Sequence, residues 1–158
     1  MYDQPSRQPV GLALNRTARI VARAFDEALA AAGGSLPVWL VLLNLRARRS
    51  ATQRALADAV GLREATLSHH LSMMESDGLI SRRRDASNRR VQVVGMTEKG
   101  DAVFLSLRDA AMAFDAQLRA GLTEADLETL GTLLTRLSAN VADNADDAPP
   151  WAGLSGGH

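Results

Sequence analysis

Apolar positions in the middle of the chain recur at the spacing of two short helices joined by a tight turn. Leu56 and Val60 lie four residues apart, so they share one face of the first helix. That helix is expected to begin near Ser50 or Thr52, because a glutamine follows Ser50 by three residues in the manner of a capping box. Gly61 interrupts the pattern and predicts the turn of a helix-turn-helix.

The second helix of the pair has one apolar and one polar face. Leu67, Leu71 and Met74 predict a buried stripe, and Gly78 predicts a left-handed cap at the helix end. Short hydroxyl side chains, an arginine and a histidine on the other face can bond to base edges in a DNA major groove, although such residues also simply solvate exposed helices. The outward residues are Arg63, Thr66, Ser68, His69 and Ser72.

Two strand-like runs follow, Ile80–Arg84 and Val91–Met96, and the polar segment between them predicts a hairpin turn. Five arginines flank this turn, at positions 82, 83, 84, 89 and 90. A basic hairpin can lie along phosphates and place its tip in a minor groove. The two helices and the hairpin together predict a winged helix-turn-helix.

Helical patterns surround this central unit. Residues 11–32 carry apolar positions at helical spacing, and a helix capped by Ser35 contains the run Val38–Leu43, which is apolar all round and therefore expected at the protein centre. Two further helices are expected to begin at Thr97 and Thr123. The predicted fold class is mainly α with a small β-hairpin wing (α+β). The last helix has a seam like that of a coiled coil, formed by Leu127, Leu130, Leu134, Leu137 and Val141.

The outer helices have more apolar surface than one winged unit can cover, which predicts a homodimer. The alternative is a helical bundle within one chain. The expected organisation has four parts: an N-terminal dimerisation helix at 11–34, the winged helix-turn-helix at 35–96, C-terminal dimerisation helices at 97–141, and a flexible Pro- and Gly-rich tail at 142–158.

Charge is segregated along a chain that is neutral overall, with 18 basic and 18 acidic side chains. Between Arg46 and Arg90, ten arginines stand against five acidic residues, a net charge of +5. From residue 95 onward, four basic residues stand against ten acidic ones, a net charge of −6. Such segregation indicates one basic surface for a polyanion, although charge runs are often only solvated.

The absence of cysteine excludes disulfides, thiolate nucleophiles and cysteine-ligated zinc. His69 and His70 point about 100° apart on a helix, so a shared metal ion is not expected. The chain shows no phosphate loop, nucleophile elbow or other enzyme motif, and neither enzymatic activity nor a cofactor is expected. Without a signal peptide or a membrane-length apolar run, a cytoplasmic location is expected.

The segments TQRALADAVGLREATLSHHL, GLISRR and DASNRRVQVVGMTEKG, in this order of elements, resemble the MarR family of bacterial transcriptional regulators. The resemblance extends over residues 11–141. It implies a homodimer that binds pseudopalindromic double-stranded DNA, usually as a repressor, and that releases DNA when a small phenolic or aromatic acid binds. A protein-interaction winged helix without specific DNA binding is the alternative function, although its wing would more often expose apolar residues than arginines.

By the same resemblance, Arg63, Ala65, Thr66, Ser68 and His69 fall where family members meet the major groove, and Arg90 falls on the wing arginine. Asn88 stands where the family usually has an aspartate that orients this arginine, so a less rigid wing is expected, with Arg89 sharing the contact. The full set of expected DNA contacts is Arg63, Ala65, Thr66, Ser68, His69, Ser72, Arg84, Asn88, Arg89 and Arg90.

The family's effector cleft lies where the dimerisation helices meet the winged unit. Arg16, Arg19 and Trp39 are the expected ligand-binding residues here, because they can pair with a carboxylate or stack on a ring. Trp39 also fits a plain core position, and the two arginines also fit a surface or dimer contact.

Overall fold

The computed structural model describes residues 8–142 as a helical protein with one small antiparallel sheet, which confirms the predicted fold class. Within this range the elements are α1 (Val10–Ala31), α2 (Leu36–Arg48), β1 (Ser50–Thr52), α3 (Gln53–Val60), α4 (Glu64–Ser76), β2 (Ile80–Arg84), β3 (Gln92–Met96), α5 (Glu98–Leu118) and α6 (Glu124–Val141). The predicted tail from residue 143 onward lies outside the described residues.

Helix α2 forms the centre of the molecule, as its all-round apolar pattern predicted. Leu40, Val41, Leu42 and Leu45 are buried, and they pack in one cluster with the inner faces of α3 and α4. The predicted cap is present, since the Ser35 hydroxyl accepts a hydrogen bond from the backbone N–H three residues later. The helices of the winged unit are therefore mounted on a buried central rod.

The sheet has the order β1-β3-β2, so the wing hairpin of β2 and β3 is extended by a third strand. Ser50–Thr52 pairs with β3, with Ser50 opposite Gly95. The proposed helix start at Ser50 is therefore wrong, because the backbone there is engaged in the sheet. The alternative start is confirmed: Thr52 caps α3, and its hydroxyl accepts from the N–H of Ala55 at 3.1 Å.

The end of α4 is fastened directly to the start of α5. The Thr97 hydroxyl donates to the carbonyl of Gly78 at 2.6 Å, and the Thr97 N–H donates to the carbonyl of Leu79 at 3.1 Å. Gly100 faces this corner so closely that any side chain there would collide with the carbonyl oxygen of Leu79. This contact transmits the position of α5 to the C-terminal end of α4.

The outer helices pack together only in part. Helix α1 lies against α5, where the rings of Phe25 and Phe114 stack with centroids 5.0 Å apart. Helix α6 begins with a complete capping box between Thr123 and Asp126, yet none of its residues is buried. The coiled-coil-like seam of α6 is therefore uncovered in the single chain.

Candidate nucleic-acid interface

Helix α4 turns one face to the core and the other to solvent, as its pattern predicted. Leu67, Leu71 and Met74 are buried. The opposite face carries the residues expected to read DNA, of which Ser68 is half-buried and the others are exposed: Arg63, Ala65, Thr66, His69 and Ser72. The structure therefore brings the predicted row together on one accessible helix face.

Ser72 is held by the wing rather than left free. Its hydroxyl donates to the Ser68 carbonyl at 2.9 Å and accepts from the Arg82 guanidinium at 3.0 Å. Arg82 also pairs with Glu75 at 3.2 Å, and the backbone N–H of Arg82 donates to the same carboxylate at 3.1 Å. These contacts join α4 to β2 and set the angle between the helix and the wing.

Backbone and side-chain hydrogen bonds organise the wing tip. The Asn88 side chain accepts from the N–H of Arg90 at 3.1 Å, and Arg84 donates to the carbonyl of Arg89 at 2.8 Å. The N–H and hydroxyl of Ser87 both donate to Asp85, and these bonds lower the pKa of the Asp85 carboxyl below its ordinary value. Asn88 thus orders the turn through the backbone of Arg90, not through its guanidinium.

Most arginines of this surface retain their full charge for a partner. Within residues 8–142, no carboxylate lies within 4.0 Å of the guanidinium groups of Arg54, Arg63, Arg83, Arg89 or Arg90, and all five residues are exposed. By contrast, Arg82 and Arg46 are paired with acids. A row of unpaired arginines beside a polar helix face is a surface suited to a polyanion.

A second feature lies on the other side of the central helix. Trp39 is half-buried and stacks on Phe104, with ring centroids 5.5 Å apart and planes 10° apart. It also lines a cleft of about 540 Å³, whose other lining residues are Arg108, Ala111, Met112, Asp115, Ala116 and Arg119, all from α5 or its end. Arg16 and Arg19 are exposed on α1 and do not line this cleft.

The arginines of the cleft already have acidic neighbours. Arg108 donates to Asp109 at 3.1 Å, and Arg119 contacts Glu124 at 2.9 Å and Asp115 at 3.4 Å. Sequence reasoning missed Arg108 and Arg119 because they lie on α5, far along the chain from Trp39. The α5 periodicity could have placed them near the inward stripe, but not opposite Trp39.

The two adjacent histidines do not form part of a metal site. Their ring centroids are 6.1 Å apart in an edge arrangement, with His69 exposed and His70 half-buried. In the part of the chain that the structure describes, no group of three or more histidine, aspartate or glutamate side chains is arranged around a common point.

None of the helices between residues 8 and 142 is by itself long and apolar enough to cross a membrane. Helices α1 and α2 pass such a test only when taken together, and they are bent by 73° at their junction.

Comparison with known proteins agrees with this geometry. Residues 35–91 match the MarR family model. A variant of MarR from E. coli, complexed with operator DNA, is 21% identical with a TM-score of 0.73, over 82% of this chain and 93% of that one. The transcriptional repressor CouR, bound to a 23-mer DNA duplex, is 25% identical with a TM-score of 0.74, over 82% of this chain and 92% of that one.

A third solved structure concerns regulation. BpsR of Bordetella bronchiseptica, whose DNA binding is regulated by 6-hydroxynicotinic acid, is 21% identical with a TM-score of 0.71, over 83% of this chain and 99% of that one. These matches extend well beyond the family model, across the outer helices as well as the winged unit. The chain therefore carries a MarR-family domain at residues 35–91 and has the fold of MarR-family transcriptional regulators, as its sequence motifs predicted.

Proposed function

We propose that this protein is a sequence-specific, double-stranded DNA-binding regulator that acts as a homodimeric repressor. The observation that carries the proposal is the exposed polar row of α4 lying beside a wing with unpaired arginines. Base edges in a major groove accept contacts from Thr66, His69 and Arg63, and the wing arginines Arg89 and Arg90 hold the adjacent backbone and minor groove. The repressor role rests on the similarity to CouR.

The uncovered apolar faces of α1 and α6 support a dimer. Val10 and Leu12 on α1, and Leu130, Leu133 and Leu134 on α6, expose between 39% and 62% of their surface. A second copy of the chain would bury them and would place two α4 helices on one side of a duplex. In this arrangement residues 11–34 and 97–141 act as dimerisation segments and residues 35–96 as the DNA-binding unit.

Footprinting on the DNA beside the protein's own gene tests the dimeric reading. Two recognition helices on one face of B-DNA predict two protected half-sites with centres about 10 base pairs apart, or a multiple of one helical turn. Protection of a single half-site, or uniform weak protection, would contradict the proposal.

We further propose that a small aromatic or phenolic acid regulates DNA binding from the cleft beside Trp39. The Trp39 ring offers a stacking surface, while Arg108 and Arg119 can pair with a carboxylate. Arg16 and Arg19 stay as predicted ligand contacts, which the cleft of the single chain does not include. Trp39 stacks on Phe104, and Arg46 lies over the Phe104 ring while pairing with Asp101, so a ligand here meets the joint between α2 and α5.

The effector proposal is tested by adding benzoate to the protein–DNA complex, with neutral benzamide as the control. Release by benzoate but not by benzamide, reduced in Trp39→Leu, is the expected result. Near-complete release requires roughly a 10⁴-fold preference for the non-binding conformation, so a weak ligand gives partial release. Equal effects of the two compounds would contradict the carboxylate contact.

A further inference from the structure

A second cleft, of about 450 Å³, opens between the winged unit's three parts. It lies where α3 begins, where α4 begins and where the wing returns to the sheet. Its lining residues are Thr52, Gln53, Arg54, Glu64, Arg90, Val91 and Gln92. Arg54 did not belong to the DNA contacts expected from the sequence, yet it lines the same cleft as the wing residue Arg90.

The position of this cleft relates directly to the path of DNA, provided that the proposed function holds. A recognition helix in the major groove and a wing in the adjacent minor groove lie on opposite sides of one sugar-phosphate strand. That strand must therefore cross between α4 and the wing. The cleft occupies this crossing point, since Glu64 is the first residue of α4 and Arg90 belongs to the wing.

The charges of the cleft favour an anion. Arg54 and Arg90 are exposed, and among the described residues neither has a carboxylate within 4.0 Å of its guanidinium. A guanidinium group can donate two parallel hydrogen bonds to phosphate oxygens. Glu64 supplies one opposing negative charge at the rim.

We propose that this cleft is a binding site for one backbone phosphate of the DNA, which Arg54 and Arg90 hold from two sides. Arg54 thereby anchors the strand between the two grooves, and Glu64 weakens the contact by repulsion. The carboxylate limits sequence-independent affinity, so that binding depends more on the base contacts of α4.

The salt dependence of DNA binding tests the charge role of Arg54. In Arg54→Ala, the slope of log affinity against log salt should fall by about 0.9, the contribution of one phosphate contact. Glu64→Gln should bind more tightly than the wild type on operator and scrambled duplexes alike. Arg136→Ala, which removes the same charge from α6, is the matched control and should leave the slope unchanged.

Neutral methylphosphonate linkages, placed one at a time in the duplex, locate the contact. Wild-type protein should lose affinity at one linkage between the contacted grooves, and Arg54→Ala should be insensitive to that linkage while it responds normally to the others. An unchanged slope, or full sensitivity to every linkage that affects the wild type, would overturn the proposal. So would competition by inorganic phosphate at constant ionic strength that depends on Arg54, since this would indicate a site for the free anion.

These outcomes are separable from failure of the proposed function. The slope and the methylphosphonate response are also measured on a scrambled duplex, where phosphate contacts persist without base reading. Loss of sequence preference in the wild type would contradict specific regulation, whereas the Arg54 result would still decide the phosphate site.

Discussion

Thr66 and His69 differ from the serines of α4 in how they are held. Ser72 is engaged by Arg82, and its hydroxyl also bonds to the carbonyl of Ser68. Within residues 8–142, by contrast, no hydrogen bond ties the side chain of Thr66 or His69 to the protein. Their donors and acceptors stay available to a base edge, so these two residues are expected to carry sequence preference.

We predict that Thr66→Ala and His69→Ala relax base preference at one position of each half-site. Each lost base contact should cost about 1–3 kcal/mol on the operator and little on scrambled DNA. The measurement is binding to a set of operators with single base-pair changes. Arg90→Ala is the contrasting variant, since loss of a phosphate contact should weaken all sequences alike; equal losses from Thr66→Ala on every duplex would refute its role in base reading.

Gly100 is the residue whose substitution should most disturb the joint between α4 and α5. A methyl group there meets the Leu79 carbonyl, which is backbone and cannot swing aside. Gly100→Ala should therefore lower the free energy of unfolding by about 1–3 kcal/mol, as measured by urea denaturation. Gly11→Ala, at a helical position with open space around it, should be neutral or stabilising; equal effects of the two changes would contradict the close approach.

At the scale of elements, the angle between recognition helix and wing depends on Arg82 and Glu75. We predict that Arg82→Met and Glu75→Gln each lower operator affinity while the salt slope stays unchanged, because Arg82 positions the wing without contacting phosphate. The double variant should be no weaker than the weaker single variant. The free energy of unfolding should change by less than about 1 kcal/mol, since the pair is partly exposed.

Two controls decide this point. Glu128→Gln removes an exposed carboxylate from α6 and should not change operator affinity. If Arg82→Met instead lowers the salt slope by about one unit, Arg82 contacts a phosphate and the positioning role is wrong.

Most elements follow from periodicity, but not their joints. The buried stripe of α4 and the hairpin of β2 and β3 were evident because apolar spacing and turn residues mark them. Strand β1 was missed, since three residues carry no alternation and Ser50–Thr52 is a strand only through its pairing with β3. Arg82 was likewise one of five similar arginines in the sequence, and only its contact with Glu75 sets it apart.

At the scale of the whole molecule, the apolar seam of α6 calls for a partner. We predict that Leu134→Glu, which places a charge on this seam, converts a dimer to a monomer in analytical ultracentrifugation and lowers operator affinity. Thr132→Glu, on the opposite face of α6, is the matched control and should preserve the dimer. A wild-type protein that sediments as a monomer at micromolar concentration would contradict the dimer proposal.

The sequence also anticipated the separation of a basic reading surface from an acidic helical body, because the net charges of the two segments differ in sign. It could not identify the two clefts. Each depends on side chains from distant segments, Trp39 with Arg119 in one and Arg54 with Arg90 in the other. Such pairings become visible only when the helices are packed.

The central claim is specific DNA recognition, and fluorescence anisotropy on the DNA beside the protein's own gene tests it most directly. The titration is made at physiological salt against a scrambled duplex of equal length and composition. We predict binding at least about a thousandfold tighter to the native fragment. Equal affinity for the native and scrambled duplexes would contradict the claim that the exposed face of α4 reads this sequence.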